Sequence, residues 1–128
     1  MAKNNPIPTK NNKYLSDKEY ILFIRESGAY FNNNLPFESY FSVKRVNVKP
    51  STFGHPTEKQ ESIIKSFIKV SSKENDLILD PFLGSGTTAV ACLNTNRKFI
   101  GIEKEKKYCE ISENRIKDTL KEKDCNFF

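Results

Sequence analysis

The chain has 128 residues, 37% of them apolar, which suits one compact domain and leaves no room for two. Lys and Arg exceed Asp and Glu by 21 to 16; the +5 balance fits a polyanionic partner, but it is spread along the chain without a basic tract, so ordinary solvated faces explain it as well. Three cysteines without a CxxC pair, Cys92, Cys109 and Cys125, make neither a disulfide framework nor a zinc site, and with no secretory signal and no apolar run near ~20 residues the expectation is a soluble, cytoplasmic protein with reduced thiols and no membrane contact.

The elements follow in chain order. The stretch to about Asp17, rich in Asn, Lys and Pro, reads as irregular, and "EYILFIRE" then gives an apolar run short enough for a strand covered on both faces. A long stretch from Ser27 to Pro56 has Gly, Pro, an Asn triplet and many aromatics but little periodicity; a loop of that length usually has a function or is partly disordered. "TEKQ" matches a capping box, with Thr57 as the cap and Gln60 reaching back, so a helix is expected to start there. Ile63, Ile64, Phe67 and Ile68 fall on one face of it. "DLILD" reads as a short strand, "TTAVACLNTN" as a helix and "KFIGIE" as a second strand. A last helix, from about Lys106 to Lys121, sets Tyr108, Ile111, Ile116 and Leu120 along one side, with Glu113 and Lys117 as a supporting pair. Strand, helix, strand, helix makes a right-handed parallel α/β unit.

"DPFLGSGTT", Asp80 to Thr88, lies between the first strand and the first helix of that unit. A side chain at Gly84 or Gly86 would collide with a ligand lying on the turn, and Thr87 and Thr88 would offer N–H groups and hydroxyls to it. No lysine follows the second glycine, so the P-loop pattern fails and ATP hydrolysis is not expected. "GSGTTA" satisfies G-x-G-x-x-[GA], and Glu103 ends the next strand about 20 residues on, where a carboxylate accepts from ribose hydroxyls. Dinucleotides and S-adenosylmethionine both present that ribose. A tight turn followed by an ordinary surface Glu is the structural alternative.

"GHPTEKQESIIKSFI", "DLILDPFLGSGTTAVA" and "RKFIGIEKEKKYCEISENRI" together resemble the C-terminal half of the β-type DNA amino-methyltransferases of restriction–modification systems and phages. The likeness runs from about Gly54 to Ile116, and "NNPIPTKNNKYLSDKEYILFIRE" is similar to the segment that follows the catalytic motif in that family. The resemblance implies methyl transfer from S-adenosylmethionine to adenine N6 or cytosine N4 of double-stranded DNA. It also implies a partial Rossmann-like α/β fold, an incomplete and mainly parallel sheet flanked by helices. Residues 1–53 would form its strand and long loop, and 54–128 its cofactor-binding unit. By the same resemblance Asp80, Pro81, Phe82, Gly84, Ser85, Gly86, Thr87 and Thr88 would surround the cofactor, Glu103 would hold its ribose, and His55, Thr57 and Lys59 would help position the methionine carboxylate. Gln60 departs from the family's usual proline at its place.

Methylating a base amine requires flipping the base out and holding it against the cofactor, which this family does with a [DNS]PP[YFW] motif. The sequence has none. "NLPF", Asn34 to Phe37, imitates it but has Leu35 for the first proline and follows no apolar strand, so no catalytic residue is assigned. "LIL", taken as buried on both faces, would leave an apolar edge where the family's catalytic strand lies, in a sheet that should have seven strands. The expectation is therefore a truncated remnant or one half of a split enzyme, inactive alone and completed by a complementing subunit or by self-association. A DNA- or cofactor-binding module without catalysis is the alternative. An NAD-dependent oxidoreductase fragment would use the same turn but gives no reason for "HPTEK".

Overall fold

The computed structural model describes residues 2–3, 20–46 and 59–125. Eight elements follow one another among the described residues. They are β1 (Ala2–Lys3), a 3-10 turn (Phe37–Tyr40), β2 (Arg45–Val46), α1 (Glu61–Ser71), β3 (Leu77–Asp80), α2 (Thr87–Leu93), β4 (Lys98–Gly101) and α3 (Lys106–Cys125). β1 and β2 pair in parallel, Ala2 with Arg45 and Lys3 with Val46, where the sequence suggests irregular chain and a long loop respectively. β3 and β4 form a second parallel pair, in register from Leu77–Lys98 to Asp80–Gly101. The pairing runs on past the strands: Ile102 N–H donates to the Asp80 carbonyl and Leu83 N–H to that of Ile102. No helix among the described residues is long and apolar enough to cross a membrane.

The core lies between this sheet and its helices. Ile68 of α1 and Ala91 and Cys92 of α2 are buried together, with Ile64, Ile78 and Phe99 packed against them. Ile78 and Phe99 are register partners, so one sheet face carries the helices. The opposite face, Leu77, Leu79 and Ile100, is exposed, Leu79 by 60%. "LIL" is thus covered on one face only, correcting the expectation of two. A parallel strand is buried twice when helices cover both sheet faces, and among the described residues they cover one.

The ends of α1 and α2 are closed by one side chain. Arg97 is buried; its Nε donates to Ser72 Oγ at 3.2 Å, one Nη to the Ser72 carbonyl at 2.7 Å, and the other Nη to the carbonyl of Thr95. Such C-terminal carbonyls have no partner inside their own helices, so the guanidinium answers an obligation of the backbone. α2 ends at Leu93, sooner than "TTAVACLNTN" suggests. Asn96 takes a left-handed φ of 58°, Arg97 N–H donates to Cys92 and Asn96 N–H to Leu93, the Schellman pattern that stops a helix.

Two other expectations are corrected. α1 begins at Glu61, with Gln60 itself as the cap at φ −68°, ψ 123° and no side-chain cap bond, so Gln60 cannot be the third helical residue of a capping box; Thr57 lies outside the described residues. A φ near −68° is one that a proline ring would also impose, so this backbone is open to either residue. "EYILFIRE" is no strand over its described part: Tyr20 to Ile24 have no ladder partner among the described residues and are exposed, Tyr20 by 90%. An apolar run becomes a strand only where a neighbouring strand takes up its N–H and C=O groups.

Candidate functional site

The glycine turn leaves the C-terminal end of β3 and enters α2. Asp80 is half-buried and its Oδ1 accepts from Phe82 N–H at 3.0 Å, which turns the chain sharply at Pro81. Phe82 is 87% exposed. Gly84, Ser85, Gly86 and Thr87 are buried, and Thr88 is half-buried. Gly84 and Gly86 both have positive φ, 56° and 84°, the region that a residue with a Cβ rarely adopts.

Glu103 closes on this turn from the end of β4. Its Oε2 accepts from Gly84 N–H at 2.8 Å and its Oε1 from Glu105 N–H at 2.8 Å. The carboxylate therefore faces the glycines and pins the turn to the start of α3. A cavity of about 390 Å³ opens beside it, lined by Leu83, Gly101, Ile102, Cys109, Ser112 and Ile116 among others.

The bareness of Gly86 has an internal cause that the sequence did not suggest. A Cβ there would stand 2.8 Å from the Cβ of Ser112 on α3, so the glycine lets the turn and α3 touch. One helical turn on, Arg115 Nη1 donates to the Ser85 carbonyl at 2.7 Å and lies 3.1 Å from Ser85 Oγ and 3.3 Å from Thr87 Oγ1. The Thr87 hydroxyl is thus turned toward α3. The expected apolar side of α3 is corrected in part: Tyr108, Ile111 and Ile116 are half-buried, but Leu120 is exposed and the fully buried residues are Ser112 and Thr119. Close approach to a glycine turn selects small polar side chains, which an apolar pattern passes over. Ser112 and Arg115 lie within "RKFIGIEKEKKYCEISENRI", but the resemblance assigns them no role there; beyond that their signal is their spacing of three on one helix.

Electrostatics tie α1 to the same region. Burial pushes the Glu61 carboxyl up, but hydrogen bonds from Lys65 and Asn94 and the charges of Lys65 and Arg115 outweigh it and hold the group below its ordinary range. Cys92, fully buried, is pushed up to about 11, chiefly by desolvation.

Of the residues assigned from sequence, Asp80 to Thr88 and Glu103 come together in one place. Lys59 is exposed two residues ahead of α1; His55 and Thr57 lie outside the described residues. "NLPF" is elsewhere. Asn32 bonds the carbonyls of Val70 and Lys69 and Leu35 N–H donates to Tyr40 Oη, so this loop docks on the C-terminal end of α1, which leads into the start of β3 rather than its end.

A family model described as DNA methylase, of the N6/N4 type, matches residues 1–114. The chain belongs to the N6/N4 DNA methylase family. Among similar members, the type II methyltransferase M2.LlaDCHI of Lactococcus lactis subsp. cremoris is 38% identical, over 89% of this chain and 48% of that protein. M2.DpnII of Streptococcus pneumoniae is 35% identical over the same shares. The chain thus spans about half the length of these curated relatives. The crystal structure of an M1.HpyAVI–SAM complex superposes with a TM-score of 0.71 at 33% identity, covering 89% of this chain and 57% of that one. The family fold is a partial Rossmann-like α/β arrangement here, with the β3–β4 pair as its parallel sheet.

Proposed function

We propose that this chain is the S-adenosylmethionine-binding portion of a site-specific DNA amino-methyltransferase acting on adenine N6 or cytosine N4 in a restriction–modification or phage setting. The observation that carries this is the meeting of Glu103 with the Gly84 amide at 2.8 Å, which sets a carboxylate beside a buried turn with positive φ at both glycines. The donor set fits the cofactor. A carboxylate accepts up to about four hydrogen bonds, so oxygens pinned by the backbone also receive ribose hydroxyls. Asp80, Pro81 and Phe82 would border the sulfonium end, with Gly84, Ser85, Gly86, Thr87 and Thr88 behind it and Lys59, His55 and Thr57 at the methionine carboxylate. When bound, S-adenosylmethionine supplies a methyl group activated by its sulfonium; this chain's residues orient and enclose it.

The base clamp is not in this sequence, which contains no Pro-Pro pair at all. A flipped base needs that clamp, so we place it on another segment of a longer protein or on a complementing subunit. The bare sheet face of Leu77, Leu79 and Ile100 supports this reading, since those side chains suit a further layer. Double-stranded DNA is then the partner of the completed enzyme. Calorimetric titration of the chain with S-adenosylmethionine, and with NAD as the control, tests the cofactor: binding of the first alone is expected, and binding of NAD alone would refute the assignment. No transfer of labelled methyl groups to DNA is expected from the isolated chain, and robust turnover would refute the need for a second segment.

A further inference from the structure

We infer that Arg115 is a positioning residue for the cofactor turn, an assignment that rests on the reading of that turn given above. The turn has three other anchors, Glu103 at the Gly84 amide, the Gly86 N–H on the Leu83 carbonyl and the close contact of Gly86 with Ser112. Of these only the Gly86 N–H bond holds the peptide between Ser85 and Gly86, and none of them takes up its carbonyl. That peptide runs into Gly86, whose φ is left-handed, and flipping it would take the Ser85 carbonyl off Arg115 and reshape the turn that, on the reading above, holds the cofactor. Arg115 holds the carbonyl toward α3 at 2.7 Å, and the same Nη1 reaches Ser85 Oγ and Thr87 Oγ1.

The charge matters as well as the geometry. A charge-assisted bond to a carbonyl is stronger than a neutral one. Held this way, the peptide keeps its N–H on the Leu83 carbonyl at 3.0 Å, closing the bend. Arg115 is thus assigned a positioning role through Ser85 and Thr87. Losing one such bond in a half-buried place corresponds to about a 10-fold to 100-fold change in an equilibrium.

The test compares Arg115→Met and Arg115→Lys with Arg97→Met, a structural arginine remote from the turn, and Lys121→Met, an exposed change on α3. Two quantities are read: the S-adenosylmethionine dissociation constant, and the exchange rate of the Gly86 amide in the free protein. Arg115→Met should weaken the cofactor about 10-fold to 100-fold and speed Gly86 exchange about 10-fold or more, with Phe99 exchange unchanged. Arg115→Lys should recover part of both. Arg97→Met, though less stable, should keep the affinity of its folded form within about 3-fold, and Lys121→Met should do nothing. Unchanged Gly86 exchange in Arg115→Met overturns the inference whether or not the cofactor binds. So does faster exchange with unaltered affinity. Failure of the unsubstituted chain to bind cofactor, with Gly86 exchange still responding, leaves Arg115 as the residue that sets the turn and refutes the cofactor assignment instead.

Discussion

Residues 20–46 and 59–125 are both well supplied with apolar and aromatic side chains, yet they reach opposite ends. In the second region Ile68, Ala91, Cys92, Ile78 and Phe99 bury one another between helices and a parallel strand pair. In the first, Tyr20 to Ile24 stay exposed, and the order that exists is mostly local, the Tyr40 hydroxyl donating to the Asn32 carbonyl and Arg25 lying over Phe31, with Asn32 tying the segment to the end of α1. The difference is one of partners rather than composition. Hydrophobic burial stabilises a segment only when a complementary surface is present to receive it, and the run from Tyr20 has little among the described residues beyond the edge contact of Phe23 with Phe31.

Substitutions sharpen this contrast. The largest effect should come from Arg97→Met, which strips the ends of α1 and α2 of their shared donor and leaves the Ser72 and Thr95 carbonyls buried without it; a loss of about 3 kcal/mol in denaturant unfolding is expected. Gly86→Ala should cost about 2 kcal/mol, because the alanine meets both a left-handed backbone and the Cβ of Ser112. Adding Ser112→Gly should return only part of that loss, since it removes the contact and leaves the backbone strain.

A smaller effect is expected at Glu61. Its carboxyl titrates below the ordinary 4.5 in the folded chain, so its stabilising share is present above that pH and lost as pH falls through the folded value. Being about a third exposed, the Lys65–Glu61 pair should contribute under about 1 kcal/mol. Thermal midpoints of the unsubstituted chain and Glu61→Gln should differ at pH 7 and converge on acidification; a gap that widens instead would remove the ion pair from the account. Smallest of all, Leu22→Ser should shift stability by less than about 0.5 kcal/mol. A loss as large as that of Arg97→Met would mean that the first region has a core of its own.

The same contrast explains what could be read from the chain without coordinates. β3, α2, β4 and α3 were legible because apolar periodicity and the punctuation of "DPFLGSGTT" act over a few residues. So was the pairing of the turn with Glu103, whose chemistry sits in a strand end at a known spacing. The start of α1 was not, because "TEKQ" is consistent with a capping box while the backbone at Gln60 is already committed to an extended entry. Nor was the seat of the turn on α3: Ser112 and Arg115 look like ordinary polar helix residues until Gly86 and Ser85 are brought against them. The strand expected in "EYILFIRE" failed for the remaining reason, that a ladder is a property of two segments and a sequence pattern describes one.

Amide spectra recorded while S-adenosylmethionine is added test the central claim most directly. The account predicts that Gly84, Ser85, Gly86 and Glu103 shift first and together, and that Glu103→Ala abolishes or weakens the response by about 10-fold or more. Shifts confined to the loop around Tyr40, or an unaltered response in Glu103→Ala, would contradict it.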